Sequence, residues 1–153
     1  MPKDALSLIQ EDHEKMRGLL EKLSNTTERA EKTRIDLLQQ IEKELKVHTA
    51  IEEEIFYPRF RDADGKEHAK MYHEAMEEHR AVEDLVLPDL KQTDPQTPEF
   101  SGRCKVVKEL VEHHMQEEEE EMFEMAREAL SKAELLELGE QMAARKKKLM
   151  SQM

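Results

Sequence analysis

Apolar residues recur along this chain in alternating steps of three and four, the spacing of one helical face. A first seam, Leu6, Ile9, His13, Met16, Leu20, Leu23, predicts a helix over about residues 4–23, with Asp4 as its N-cap. A second, Leu38, Ile41, Leu45, His48, Glu52, Ile55, predicts a helix from about 33 to 60. A third, Tyr72, Met76, His79, Glu83, Val86, Leu90, begins near Lys66. The fourth follows Thr97-Pro98, an N-cap and a first-turn proline, and runs Phe100, Cys104, Val107, Val111, His114, Glu118 with Met125 beyond. Each seam is broken by histidine, and three of them also by glutamate.

Polar punctuation separates the seams. Residues 24–27 (Ser-Asn-Thr-Thr), the Asp62-Ala63-Asp64-Gly65 turn and residues 92–97 read as loops. Pro58 and Pro88 are expected to kink or end their helices. Ser131-Lys132-Ala133-Glu134 is a capping box that opens a fifth helix, amphipathic through Leu135, Leu138, Met142 and Leu149. Arg145 and Lys146 to Lys148 sit near its C-terminus, where the helix dipole favours cations. The pattern predicts an all-α protein: an up-down-up-down four-helix bundle over 1–130, with an additional C-terminal helix over 131–153. That last helix packs on the bundle, contacts a partner, or makes a homodimer; the sequence leaves all three open.

Composition narrows the function. A net charge of −12 argues against nucleic-acid or anionic-membrane partners. A single cysteine, Cys104, excludes an internal disulfide framework and fits a reducing compartment. No apolar run approaches the roughly 20 residues that span a bilayer, and the N-terminus lacks a signal-peptide core, so a cytoplasmic location is expected.

The seam-borne polar residues carry the chemistry. His48 and Glu52 share a helical face, as do His79 and Glu83, and His114 and Glu118. A buried carboxylate without a partner is costly, whereas a metal ion satisfies both groups. His13 to His48 and His79 to His114 each span 35 residues, and an apolar pair follows each second motif: Phe56-Tyr57 and Met122-Phe123. The chain is therefore two copies of a helix pair, each contributing His and then His-x-x-x-Glu. Seam register selects His114 over the adjacent His113. Glu53, Glu54, Glu117, Glu119 and Glu120 read as solvated neighbours, and His68 and His73 as surface histidines. Tyr72, two turns before His79 on one face, is the candidate outer-sphere or redox tyrosine. Tyr57 lies nine residues past His48, on the opposite face of an α-helix. Cys104 and the methionines Met16, Met76 and Met125 read as packing.

At these residues the chain resembles the hemerythrin-like family, the HHE cation-binding domain, over about residues 4–128. The resemblance implies two non-haem iron ions bridged by a solvent-derived oxygen. His13 and His48 would bind one, His79, Glu83 and His114 the other, and Glu52 and Glu118 would bridge them. Four imidazoles and three carboxylates holding two metals favour iron over a closed tetrahedral zinc site. The marine oxygen carriers have histidine where Glu83 stands and aspartate at +5 where Glu118 stands at +4. The harder, more anionic set here favours ferric iron and disfavours reversible oxygen carriage. The implied partner is a small oxidant: hydrogen peroxide, dioxygen or nitric oxide. Members with a similar His-x-x-x-Glu third motif point to catalase-like peroxide breakdown. The alternative is an oxygen, nitric oxide or iron sensor without turnover.

Overall fold

The computed structural model describes residues 2–153; Met1, the first residue of the expected bundle segment, lies outside them. The described residues are helical and contain no strand. The elements are α1 (Ala5–Ser24), α2 (Glu31–Ile51), α3 (Tyr57–Ala63), α4 (Gly65–Arg80), α5 (Leu87–Lys91), α6 (Pro98–Glu117), α7 (Phe123–Ala129) and α8 (Lys132–Ser151). Caps form where the sequence places them. Asp4 accepts from the Ser7 amide at 2.8 Å, Thr97 accepts from Phe100, and Ser131 and Glu134 close a reciprocal capping box.

Three junctions do not break. α2 passes into α3 through a π turn at Glu52–Phe56, α4 into α5 through one at Ala81–Val86, and α6 into α7 through one at Glu118–Met122. In each, the closing amide reaches five residues back: Tyr57 to Glu52, Leu87 to Val82, Phe123 to Glu118. Of the two outcomes expected of the prolines, a kink or an end, the end is not seen. Pro58 and Pro88 neither end nor replace their helices, which run on to Ala63 and Lys91. A proline clashes with the carbonyl four residues back. The wider turn just before it shifts that carbonyl out of register.

The buried side chains form two apolar clusters. One gathers Ile9, Ile51, Phe56, Phe60, Met122 and Met142 with their neighbours. The other gathers Met16, Leu20, Ile41, Val107, Val111 and Met115 with theirs. On α1, α2 and α4 the histidines His13, His48 and His79 fall between residues of the two clusters. α8 lies against α1 and α2, burying Leu135, Leu138 and Met142 in the first cluster. It approaches closely at Gly139, where a Cβ would collide with the backbone of Lys3, Asp4 and Ala5. Arg145 then pairs with Glu54 at 2.8 Å, and Lys146 with Asp12.

One further residue differs from the sequence reading, and a second, Arg34, is a buried cation. His68 is buried rather than superficial: its Nδ1–H donates to the Phe60 carbonyl at 2.7 Å while its ring stacks on Phe60. It thereby fixes the corner at Gly65, which needs the positive φ of 49° that glycine tolerates. Arg34 is 1% exposed and donates to Thr26, Pro95 and Ser101, tying the two loops at that end together. No described helix is long and apolar enough to cross a membrane.

Candidate metal centre

His13 on α1, His48 on α2, His79 on α4 and His114 on α6 are all buried and turn their Nε2 atoms towards one another. Glu52 and Glu118, the first residues of two π turns, stand among them at 0% and 2% exposure. Glu118 Oε1 lies 3.2 Å from His13 Nε2 and 3.1 Å from His114 Nε2. Glu52 Oε1 lies 3.3 Å from His48 Nε2 and 3.2 Å from His79 Nε2. Each carboxylate thus spans the two halves. The ligand atoms fall into two groups: His13, His48, Glu52 and Glu118; and Glu52, His79 and His114. Either group could hold a metal ion.

The outer nitrogens explain why the inner ones converge. His13 Nδ1 meets Glu119 at 2.6 Å, His48 Nδ1 meets Asp12 at 2.8 Å, His79 Nδ1 meets Glu53 at 2.6 Å, and His114 Nδ1 meets Glu78 at 2.7 Å. An ionised carboxylate only accepts, so each Nδ1 carries a proton and each Nε2 faces inwards, where the neutral imidazole offers a lone pair to a metal. Among the described residues, four buried side-chain atoms find no hydrogen-bond partner: His13 Nε2, His48 Nε2, Glu52 Oε2 and Glu118 Oε1. Buried polar groups are normally satisfied. Orphans that converge on one another are what a cation would satisfy, so these residues fit a metal.

The four clamps follow the internal repeat. Residues 66 apart correspond: Asp12 with Glu78, His48 with His114, Glu53 with Glu119. Asp12 holds His48 as Glu78 holds His114, and Glu53 holds His79 as Glu119 holds His13. Every clamp is the sequence neighbour of a ligand on another helix, so each helix orients the imidazole of the next. Glu53 and Glu119 therefore have a role at the centre, against the reading of both as solvated. Their signal was their placement directly after the repeated glutamates.

The clamps favour positive charge inside. Burial opposes protonation of His48, but the Glu52 charge and the Asp12 hydrogen bond outweigh it and push its pKa up to about 10. His13, His79 and His114 are raised the same way against the burial penalty, His114 chiefly by the Glu118 charge. Burial opposes ionisation of Glu118, yet the facing imidazoles hold its carboxyl well below the usual range. The Glu78 hydrogen bond pushes Glu117 up to about 8.

Tyr57, and not Tyr72, occupies the middle of the site. Its hydroxyl donates to Glu118 Oε2 at 3.0 Å and lies 3.2 Å from His79 Nε2, 3.3 Å from His114 Nε2 and 3.3 Å from Glu52 Oε1. Burial, then the Glu118 and Glu52 charges, raise its pKa far above the ordinary tyrosine value. Nine residues of α-helix would set it about half a turn from His48, but the extra residue in the π turn removes about 100° and swings it inwards. Tyr72 packs edge-on against the Tyr57 ring, one layer further out, with the Arg61 guanidinium over its face. Glu83 also stands apart from both ligand groups. It accepts a hydrogen bond from Thr49 Oγ1 and keeps a raised pKa through burial. A cavity of about 30 Å³ lies beside it, walled by Met16, Leu45, Val82, Val111 and Met115 and reaching His48, His79 and His114. That is room for one or two molecules the size of water.

Inward histidines on four helices, bridged by two buried carboxylates, define a helical-bundle protein of the cation-binding class. The chain belongs to the hemerythrin family: the hemerythrin HHE cation binding domain matches residues 4–126. A solved relative, the hemerythrin HHE cation binding domain-containing protein of Mycobacterium kansasii, superposes with a TM-score of 0.85 at 32% identity, over 98% of this chain and 89% of that one. An uncharacterized protein of Mycobacterium tuberculosis is 29% identical over 143 residues, which is 93% of this chain and 84% of the relative. A Nostoc protein named a DNA nickase is 30% identical over 145 residues, 93% of this chain, but the chain spans only 39% of that relative's length.

Proposed function

We propose that the centre holds two iron ions and that the protein reacts with a small oxidant, hydrogen peroxide foremost and dioxygen or nitric oxide as the other candidates. The four buried, partnerless atoms of His13, His48, Glu52 and Glu118 carry this reading. Iron suits donors that mix imidazole and bridging carboxylate across two adjoining positions. Bound there, it would supply a redox couple and a Lewis-acidic position for the oxidant. His13, His48, His79, His114, Glu52 and Glu118 would hold it. Tyr57 lies close enough to join them, and Glu83 is the reserve carboxylate at the cavity. The protein's own part is to keep the Nε2 lone pairs aimed inwards through four carboxylates. Tyr57 holds a proton against Glu118. The methionine, leucine and valine wall keeps bulk water and large substrates from the centre.

A sensing role is the second reading, favoured by the path Lys146–Asp12–His48, which links α8 to a ligand. The nicking of DNA named for the Nostoc relative does not carry over on this argument, because a chain of net charge −12 repels a phosphate backbone. The same charge fits a protein that works without nucleic acid or an anionic membrane.

Metal content per chain, measured on protein from iron-replete cells and followed by peroxide-driven oxygen release, tests the proposal. Two irons and release at catalytic rates are expected. Zinc alone, or no metal, would overturn it. Two irons with no turnover, and an oxidant-dependent change in α8 contacts, would move the reading to the sensor.

A further inference from the structure

The two grooves that flank the centre are related by the repeat but built from opposite chemistry. On one side α8 crosses α1 and α2, and Leu8, Val47 and Ile51 are buried. Their counterparts 66 residues on, in the groove between α4 and α6, are Glu74, His113 and Glu117, and no helix covers them. His113 Nε2 lies 3.2 Å from Glu117 Oε2 and 3.9 Å from Glu78 Oε2, and His113 is 66% exposed. Among the described residues no lysine or arginine pairs with Glu74, Glu78 or Glu117. Imidazoles are therefore the basic groups that face Glu78 and Glu117: His114 from inside, His113 from outside. A narrow cavity of about 10 Å³ leads inwards from Glu74 and Glu117 to His114 and Glu118. Glu118, at 2% exposure and with one oxygen lacking a hydrogen-bond partner, lines its inner end. Glu78 stands at the boundary. Its Oε1 accepts from His114 Nδ1 at 2.7 Å while its Oε2 faces His113 outside.

We propose that Glu78, His113 and Glu117 form an outer site for a divalent cation, the port through which the centre is loaded. The proposal rests on the reading of the centre as metal-binding. One imidazole and two carboxylates bind a ferrous ion loosely enough to release it. The acidic groove concentrates cations at its mouth, and α8 seals the equivalent groove, so of the two repeat-related grooves only this one is open to a cation.

The experiment is anaerobic loading of the metal-free full chain with ferrous ion, in the parent and in the pair His113→Ala, Glu117→Gln. The rate of uptake and the final metal content are both read. The variant is expected to reach the parent's final content at least about tenfold more slowly, and to lose the parent's steep slowing with salt. The pair Glu74→Gln, Glu117→Gln keeps the histidine and should slow uptake less. The pair Glu137→Gln, Glu140→Gln on α8 removes the same charge elsewhere and should leave the rate alone. Full loading at an unchanged rate would overturn the port while leaving the centre standing. A lower final content would also overturn it, by making these residues part of the centre itself. A parent that takes up no metal would end both readings together.

Discussion

The half of the molecule from α1 to α3 and the half from α4 to α7 agree where they hold the candidate ligands and disagree one layer out. His13 and His48 with Glu52 match His79 and His114 with Glu118, and all four carboxylate clamps obey the same correspondence. Beyond them the match ends. Tyr57 faces its hydroxyl into the site, whereas its counterpart Phe123 stacks flat on His13. Asp12 is paired with Lys146, whereas among the described residues its counterpart Glu78 has no basic side chain but imidazole near it and pushes the neighbouring Glu117 pKa up to about 8. Arg17, which pairs with Glu119, stands where the second half has Glu83. Duplication thus supplies a symmetric cage of two ligand groups, each of which could hold a cation. The difference between the surroundings of the two groups comes from residues that touch the cage from outside.

The comparison breaks most completely at a bridge. Glu52→Ala should strip metal from both positions, because Glu52 belongs to both groups, whereas His48→Ala should empty one. Elemental analysis distinguishes none from one, and equal losses would refute a shared carboxylate. Removing α8 by stopping the chain after Leu130 should cost only the first half its cover. Three buried side chains at roughly 1.5–3 kcal/mol each put the loss on the order of 5 kcal/mol by chemical denaturation.

Protonation separates the metal-free from the loaded state. The His48 pKa is raised from 6.5 to about 10, so its contribution to the metal-free fold is complete below pH 6.5 and is lost as pH rises through 10. Melting temperature against pH should fall across that window without metal and stay flat with it. Loading should also release protons.

Smaller effects compare the clamps. Asp12→Asn, at a buried carboxylate held ionised by its partners, should weaken metal binding by about 100-fold, and Glu78→Gln, which is partly exposed, by about 10-fold. Equal effects in competition titrations would mean that Lys146 contributes nothing. Tyr57→Phe should make the two halves alike at a cost of about 1.5–3 kcal/mol to the metal-free fold, the usual value of a hydrogen bond to a charged group. Phe123→Tyr adds a hydroxyl with no acceptor built for it and should cost about 1 kcal/mol.

The cage was legible in the sequence because seam positions and the 35-residue interval both report on which residues share a helical face. Tyr57 was not, since that inference assumes 3.6 residues per turn and the π turn between Glu52 and Phe56 adds one. A proline at 58 inside a helix that nevertheless continues was the available hint. Glu53 and Glu119 looked like part of a solvated acidic run because composition cannot tell a carboxylate facing water from one facing an imidazole nitrogen. Glu83 shows where spacing stops short. Its spacing from His79 matches the other motifs, but the structure turns it to Thr49.

Counted along the chain, each π turn is a single surplus residue kept inside an otherwise continuous helix. His48 and Glu52 are set by the register before the surplus, Phe56 and Tyr57 by the register after it. Loss of one codon between them would leave the imidazole and the carboxylate in place and turn the phenol out of the site. Length, and not only residue identity, is therefore a variable through which such a centre can be altered in descent.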